Sequence, residues 1–176
     1  MLTQFYFFSF TLVFLIGTFS KIVQAEKTQR HHKAHVHGEA QIHVAFDGLK
    51  GRVEFKSPAE AILGFEHSAE SDRDKKKLED TRLSFEKKMS SWIQLDPSKN
   101  CNWTPKKIHQ EVDAKGHSDF EASFDVECSS SPEGTRAQVD FSEFKRIKKI
   151  ELTLLTDSVQ KTVKKRSNKF EFDFKH

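Results

Sequence analysis

Glycine is scarce in this chain, 7 of 176 residues. Loops that wrap a phosphate with backbone N–H groups need glycine, and neither a Gly-x-x-x-x-Gly-Lys nor a Gly-x-Ser-x-Gly run occurs. The His-Glu-x-x-His signature of a helical zinc hydrolase site is missing too. No charge of one sign dominates: 29 Lys and Arg stand against 26 Asp and Glu, a net charge of +3. That excess is too small to demand nucleic acid, and no basic stripe interleaves with aromatic residues. The basic runs Lys75–Lys77, Lys145–Lys149 and Lys161–Arg166 read as solvated faces or strand edges. Cysteine is nearly absent, and the two present, Cys101 and Cys128, do not form a Cys-x-x-Cys motif. The chain has no internal repeat. Its length allows one domain with a core of its own.

What is there begins at the N-terminus. Met1–Ala25 holds Phe5, Tyr6, Phe7, Phe8, Phe10, Leu12, Val13, Phe14, Leu15 and Ile16, and its only charged side chain is Lys21. The apolar run is shorter than the ~20 residues of a membrane span. It ends in Val23-Gln24-Ala25, which suits a signal peptide (1–25) cleaved after Ala25. An uncleaved anchor is the competing reading. Export makes sense of the cysteines: in an oxidising compartment Cys101 and Cys128 read as one disulfide, with two buried free thiols as the alternative. A loop of that length contributes roughly 3–4 kcal/mol.

Glu26–Lys33 is polar and carries His31 and His32, and it reads as a mobile segment. From Ala34 a strand pattern sets in. Ala34, Val36, Ala40, Ile42, Val44 and Phe46 fall on one side; His35, His37, Glu39, Gln41 and His43 fall on the other. Asp47-Gly48 signals a hairpin. The next strand points Leu49, Val53 and Phe55 inward and Lys50, Arg52, Glu54 and Lys56 outward. Ser57-Pro58-Ala59-Glu60 reads as a helix start, with Ser57 the N-cap and Glu60 completing a capping box, and Gly64 as the stop. A longer helix over about 71–91 carries Leu78, Phe85, Met89 and Trp92 at helical spacing. The second half returns to strands: Ile108–Val112 weakly, and Asp119–Cys128 strongly, with Phe120, Phe124, Val126 and Cys128 inward. A short helix over Phe141–Ile147 and strands over Lys149–Leu155 and Lys169–Phe174 complete the set. The expectation is an α+β fold. Residues 34–176 form a single domain on a mostly antiparallel sheet, with one short and one longer helix packed on it.

Histidine carries the chemistry. His35 and His37, two apart on a strand, share a face about 7 Å apart, close enough to converge on one metal ion. Glu39 and His43 extend that face, and His31 and His32 are loose auxiliary ligands. An imidazole gives one nitrogen to Zn²⁺ while an acceptor holds the other. A solvated His cluster is the plainer reading of the same residues. Gly64-Phe65-Glu66-His67 supplies a Glu-His pair. His117-Ser118-Asp119-Phe120 places an imidazole and a carboxylate on one face. Each alone fits an ordinary surface pair.

As a set, three stretches resemble the ZrgA family, periplasmic zinc-binding proteins of Gram-negative bacteria. They are His35-Val36-His37-Gly38-Glu39-Ala40, Gly64-Phe65-Glu66-His67, and His117-Ser118-Asp119-Phe120 leading into Cys128, with Cys101 upstream. The resemblance implies a periplasmic protein that binds Zn²⁺ and is associated with a zinc-uptake ABC transporter. It implies a ligand set of His37, His67 and His117, with Asp119 or His35 as the fourth, and Glu66 and Glu39 holding ligand rings. Cu²⁺ would bind the same donors. Such proteins often carry a loop very rich in His, Asp and Glu before the third stretch. Here it has shrunk to about Gln110–Gly116, with Glu111 and Asp113 beside His109, which speaks against bulk metal storage. The expectation is a binder rather than an enzyme. A periplasmic metal buffer or sensor without transporter contact is the alternative, and a zinc-dependent hydrolase fits less well.

Overall fold

The computed structural model describes residues 37–175. They lie within the second of the two units into which the chain divides, 1–32 and 33–176. The expected signal peptide, the segment 26–33 with His31 and His32, and His35 lie outside the described residues.

Strands β1 (Glu39–Asp47) and β2 (Lys50–Pro58) form the hairpin announced by Asp47-Gly48. Gly48 takes a φ of 55° there, a conformation that costs an L side chain strain and glycine none. Helix α1 (Ala59–Leu63) follows directly, and then α2 (Asp72–Trp92). Next come β3 (Ile93–Gln94), a 3₁₀ turn (Pro97–Lys99), β4 (Asn102–Val112) and β5 (Ser118–Glu127). The chain closes with β6 (Arg136–Asp140), β7 (Lys149–Leu155), β8 (Gln160–Lys165) and β9 (Lys169–Asp173). Six strands make one sheet in the order β4-β5-β2-β1-β7-β8, and β3-β6-β9 make another. β1 runs parallel to β7, and the other pairings among the described residues are antiparallel.

Period-two alternation decides which face is buried. Ala40, Ile42, Val44 and Phe46 of β1 are buried with Val53 and Phe55 of β2, Phe120, Phe124 and Val126 of β5, and Ile150, Leu152 and Leu154 of β7. Helix α2 covers this core with Phe85, Met89 and Trp92. Phe85 sits 4.6 Å from Phe120 and 4.9 Å from Trp92 between ring centroids, and Phe55 stacks on Phe141 at 4.9 Å. Each ring fully removed from water contributes roughly 1.5–3 kcal/mol. The opposite face is wet. One row across it runs His109, Glu121, Lys56, Gln41, Glu151 and Lys164, residue opposite residue through five strand pairings. Lys56 Nζ lies 2.7 Å from Glu121 and 2.8 Å from Asp119, and Lys164 Nζ lies 2.9 Å from Glu151.

Several expectations are corrected. The Ser57 capping box does not form: β2 runs on through Pro58, the Ser57 hydroxyl donates to the Glu39 carbonyl, and α1 starts without a side-chain cap. A true cap appears at α2, where the Ser71 hydroxyl accepts from the Asp74 N–H at 3.1 Å. Phe141–Ile147 is a pair of turns rather than a helix. Its rings Phe141 and Phe144 anchor in the aromatic cluster, and that side-chain burial fixes the segment without a helical ladder. Leu49, expected inward, lies at the hairpin turn and is exposed. β4 begins six residues earlier than the expected Ile108 start. Cys101 and Cys128 are disulfide-bonded at its open end.

Candidate functional site

Three turns meet at one end of the large sheet, and a positive-φ glycine sits beside each: Gly38, Gly64 and Gly116. Gly38, at φ 75°, turns the chain just before β1. Its carbonyl accepts from the Lys148 and Lys149 N–H groups at 2.8 and 3.0 Å, and a Cβ there would meet the Arg146 carbonyl oxygen at 2.9 Å. This turn lifts His37 off the strand. Sequence alternation placed His37 on one polar face with Glu39 and His43. Instead Glu39 pairs with Lys149 at 2.9 Å and His43 lies exposed on the wet sheet face, while His37 turns to Glu66.

Glu66 follows α1. Gly64 ends that helix in a left-handed conformation and donates its N–H to the Glu60 carbonyl. Arg146 Nη1 bonds the same carbonyl at 3.1 Å and pairs with the Glu60 carboxylate at 3.0 Å. His117 closes the β4–β5 hairpin. Asp113 accepts its N–H on Oδ1 at 3.0 Å, and the Asp113 N–H donates to its carbonyl at 2.8 Å. The first three residues of the expected loop 110–116 are strand, Gln110, Glu111 and Val112 pairing with Phe120, Asp119 and Ser118, and the turn itself is 113–116.

The Glu66 carboxylate lies between two imidazoles. Oε1 is 3.3 Å from His37 Nδ1, and Oε2 is 3.5 Å from His117 Nδ1. An ordinary N–H···O bond is shorter, about 2.9–3.0 Å. Two donors bound tetrahedrally at ~2.0–2.2 Å to one Zn²⁺ stand about 3.3–3.6 Å apart, the separation found here. Glu66 is less exposed (29%) than His37 (73%) or His117 (58%), so the carboxylate forms the floor and the rings the water-facing walls.

His67 follows Glu66 in the chain and is exposed. Its ring stacks on Phe65 at 4.9 Å, and Nδ1 lies 2.9 Å from the Ser68 carbonyl. A carbonyl only accepts, so this bond puts the proton on Nδ1 and the lone pair on Nε2. Asp119 is buried, with Oδ2 at 2.8 Å from Lys56 Nζ. Burial pulls the Lys56 pKa down, but the hydrogen bonds and charges of Asp119 and Glu121 outweigh it and leave the ammonium above its ordinary value. His109 Nε2 contacts Glu111 at 3.0 Å on the wet face. Among the described residues no three His, Cys, Asp or Glu side chains form a ready-made metal cage. What stands there is one carboxylate shared by two imidazoles.

A hollow of about 790 Å³ opens at the far end of the sheet around Asp47, Arg52, Asp125 and Leu155. Its Arg52 and Asp125 pair with each other at 2.9 Å. Sequence reasoning cast Glu66 as a residue holding a ligand ring, and the structure sets its carboxylate beside the Nδ1 atoms of both His37 and His117. It also missed Gln110 and Ser118, which bond the Glu66-His67 backbone. Only the short helix stop Gly64-Phe65 hinted that this loop was fixed.

The family model described as "ZrgA family zinc uptake protein" matches residues 34–174. No curated protein matches the chain.

Proposed function

The chain belongs to the ZrgA family of zinc uptake proteins, and from that premise we propose that it binds Zn²⁺ outside the cytoplasm and supplies it to an ABC transporter. The ion is cargo, held by His37, Glu66 and His117. His67 is the neighbouring donor, and Asp119 or His35 completes the set. The observation that carries this reading is the Glu66 carboxylate facing both Nδ1 atoms at 3.3 and 3.5 Å. Two neutral imidazoles and a carboxylate are ordinary zinc donors, and the exposed rings leave the ion a path in and out. The tight turn after β4 leaves no long acidic loop for storage, which favours carriage over buffering. Export rests on the apolar Met1–Ala25 segment and on the disulfide, a bond of oxidising compartments.

Competition with a chromophoric chelator tests the site. The purified, tag-free protein is expected to take up about one equivalent of Zn²⁺ at neutral pH. His37→Ala, Glu66→Gln and His117→Ala are each expected to weaken binding at least tenfold. No uptake by the wild type, or wild-type affinity in Glu66→Gln, would sink the assignment. Acid should release the ion, because protons compete for the same imidazole nitrogens.

A further inference from the structure

The residues of that site project from segments far apart in the chain, and a short relay of hydrogen bonds ties two of the segments together. Ser118, the first residue of β5, is buried, and its hydroxyl donates to the Glu66 carbonyl. Gln110, across the hairpin on β4, donates from Nε2 to the Ser118 hydroxyl oxygen and to the His67 carbonyl, both at 2.8 Å. The hydroxyl hydrogen and both amide hydrogens therefore have acceptors, and two of those are loop carbonyls. Residues 65–68 belong to no helix or strand. The hairpin that grips them is the one that carries His117.

We propose that Gln110 and Ser118 are positioning residues of the metal site. Neither touches the ion. They fix the backbone from which Glu66 and His67 project relative to the turn that carries His117, so that Glu66 faces the imidazole before metal arrives. The inference rests on the reading of Glu66 as a ligand. Ser118→Ala removes one oxygen atom, while the ladder pairing of Ser118 with Val112 remains. The variant is expected to keep the fold and release the loop. Outer partners that orient ligands commonly change metal affinity by roughly 10–100-fold.

The test uses the full folded protein and three readouts: Zn²⁺ affinity by chelator competition, the visible spectrum of the Co²⁺ form, and the thermal midpoint without metal. Ser118→Ala and Gln110→Ala are expected to lower affinity roughly tenfold or more and to alter the Co²⁺ bands, with the metal-free midpoint close to wild type. Ser118→Thr, which keeps the hydroxyl, is expected to restore both. If Glu66→Gln abolishes binding while Ser118→Ala and Gln110→Ala stay within about twofold of wild type with unchanged spectra, the positioning role is overturned and the site stands. If Glu66→Gln binds like wild type, the site assignment falls and the positioning role with it. Should Ser118→Ala unfold, Gln110→Ala, at a half-buried position, decides by the same criteria.

Discussion

Removing the disulfide should separate stability from metal affinity. The bond joins Cys101 and Cys128 across 27 residues. In the chain-entropy treatment, opening a loop of that length returns about 3.5 kcal/mol of freedom to the unfolded chain. With a urea slope of about 2 kcal/mol/M, the Cys101→Ser/Cys128→Ser double variant should unfold at a midpoint about 1.7 M lower. The bridge lies at the open end of the β4–β5 hairpin, and His117 lies at the closed end. The 10 residues of β5 separate them, about 30 Å at strand rise. Zn²⁺ affinity of the folded variant should therefore stay within about twofold of wild type. Urea titration followed by Trp92 and Trp103 fluorescence measures the first quantity, and chelator competition below the transition measures the second. A midpoint shift under about 0.5 M would refute the entropic account. A tenfold affinity loss in folded protein would refute the mechanical independence of the two hairpin ends.

Lys56→Met should cost about 2 kcal/mol at neutral pH, since it strips a charged donor from the buried Asp119 and half-buried Glu121. Burial raises the Glu121 carboxyl, but the Lys56 hydrogen bond and charge outweigh it and hold the pKa below its ordinary value. Its share of stability is therefore present above the ordinary carboxylate range and lost as pH falls through the depressed value. The Lys56 share is present below the ordinary lysine value and lost only as pH rises past the raised one. Urea midpoints across pH should show the cost of the variant shrinking in acid, and a constant cost would count against the pairing. Gly38→Ala should destabilise by more than the roughly 1–2 kcal/mol of a left-handed L residue, because its Cβ also meets the Arg146 carbonyl at 2.9 Å. It should weaken Zn²⁺ binding as well, by moving His37. Gly48→Ala, with open space around it, should cost only the conformational part and leave affinity intact, and equal effects of the two would contradict the packing seen at Gly38.

Strong periodicity made β1, β5, β7 and α2 legible in the sequence, because each has a single dry face. β4 was largely hidden. Pro105, Lys106 and Lys107 interrupt its pattern, and as an edge strand it buries little. β8 hid for the same reason, its lysines being the polar edge of the sheet. Ser57 misled because its capping partners lie next to it in sequence, while its actual acceptor, the Glu39 carbonyl, lies on the neighbouring strand. At the candidate site, spacing along the chain did not show which side chains meet. Alternation extrapolated through Gly38 assigned His37 to a sheet face, where a positive φ takes it away. The fold brings His37 and His117 to the two oxygens of Glu66, a meeting that sequence spacing does not reveal. Gln110 and Ser118 act on backbone carbonyls, and such bonds leave no mark on local spacing.

The parallel pairing of β1 with β7 sets a timetable for the newborn chain. The strand that opens the domain can claim only one flank from early neighbours, since the other is supplied more than 100 residues later. The Gly38 carbonyl waits for the same late arrivals, Lys148 and Lys149. That flank of β1 and the turn before it depend on contacts far apart in sequence, the kind that form slowly. The turn that aims His37 at Glu66 is therefore fastened by backbone from more than 100 residues further along the chain.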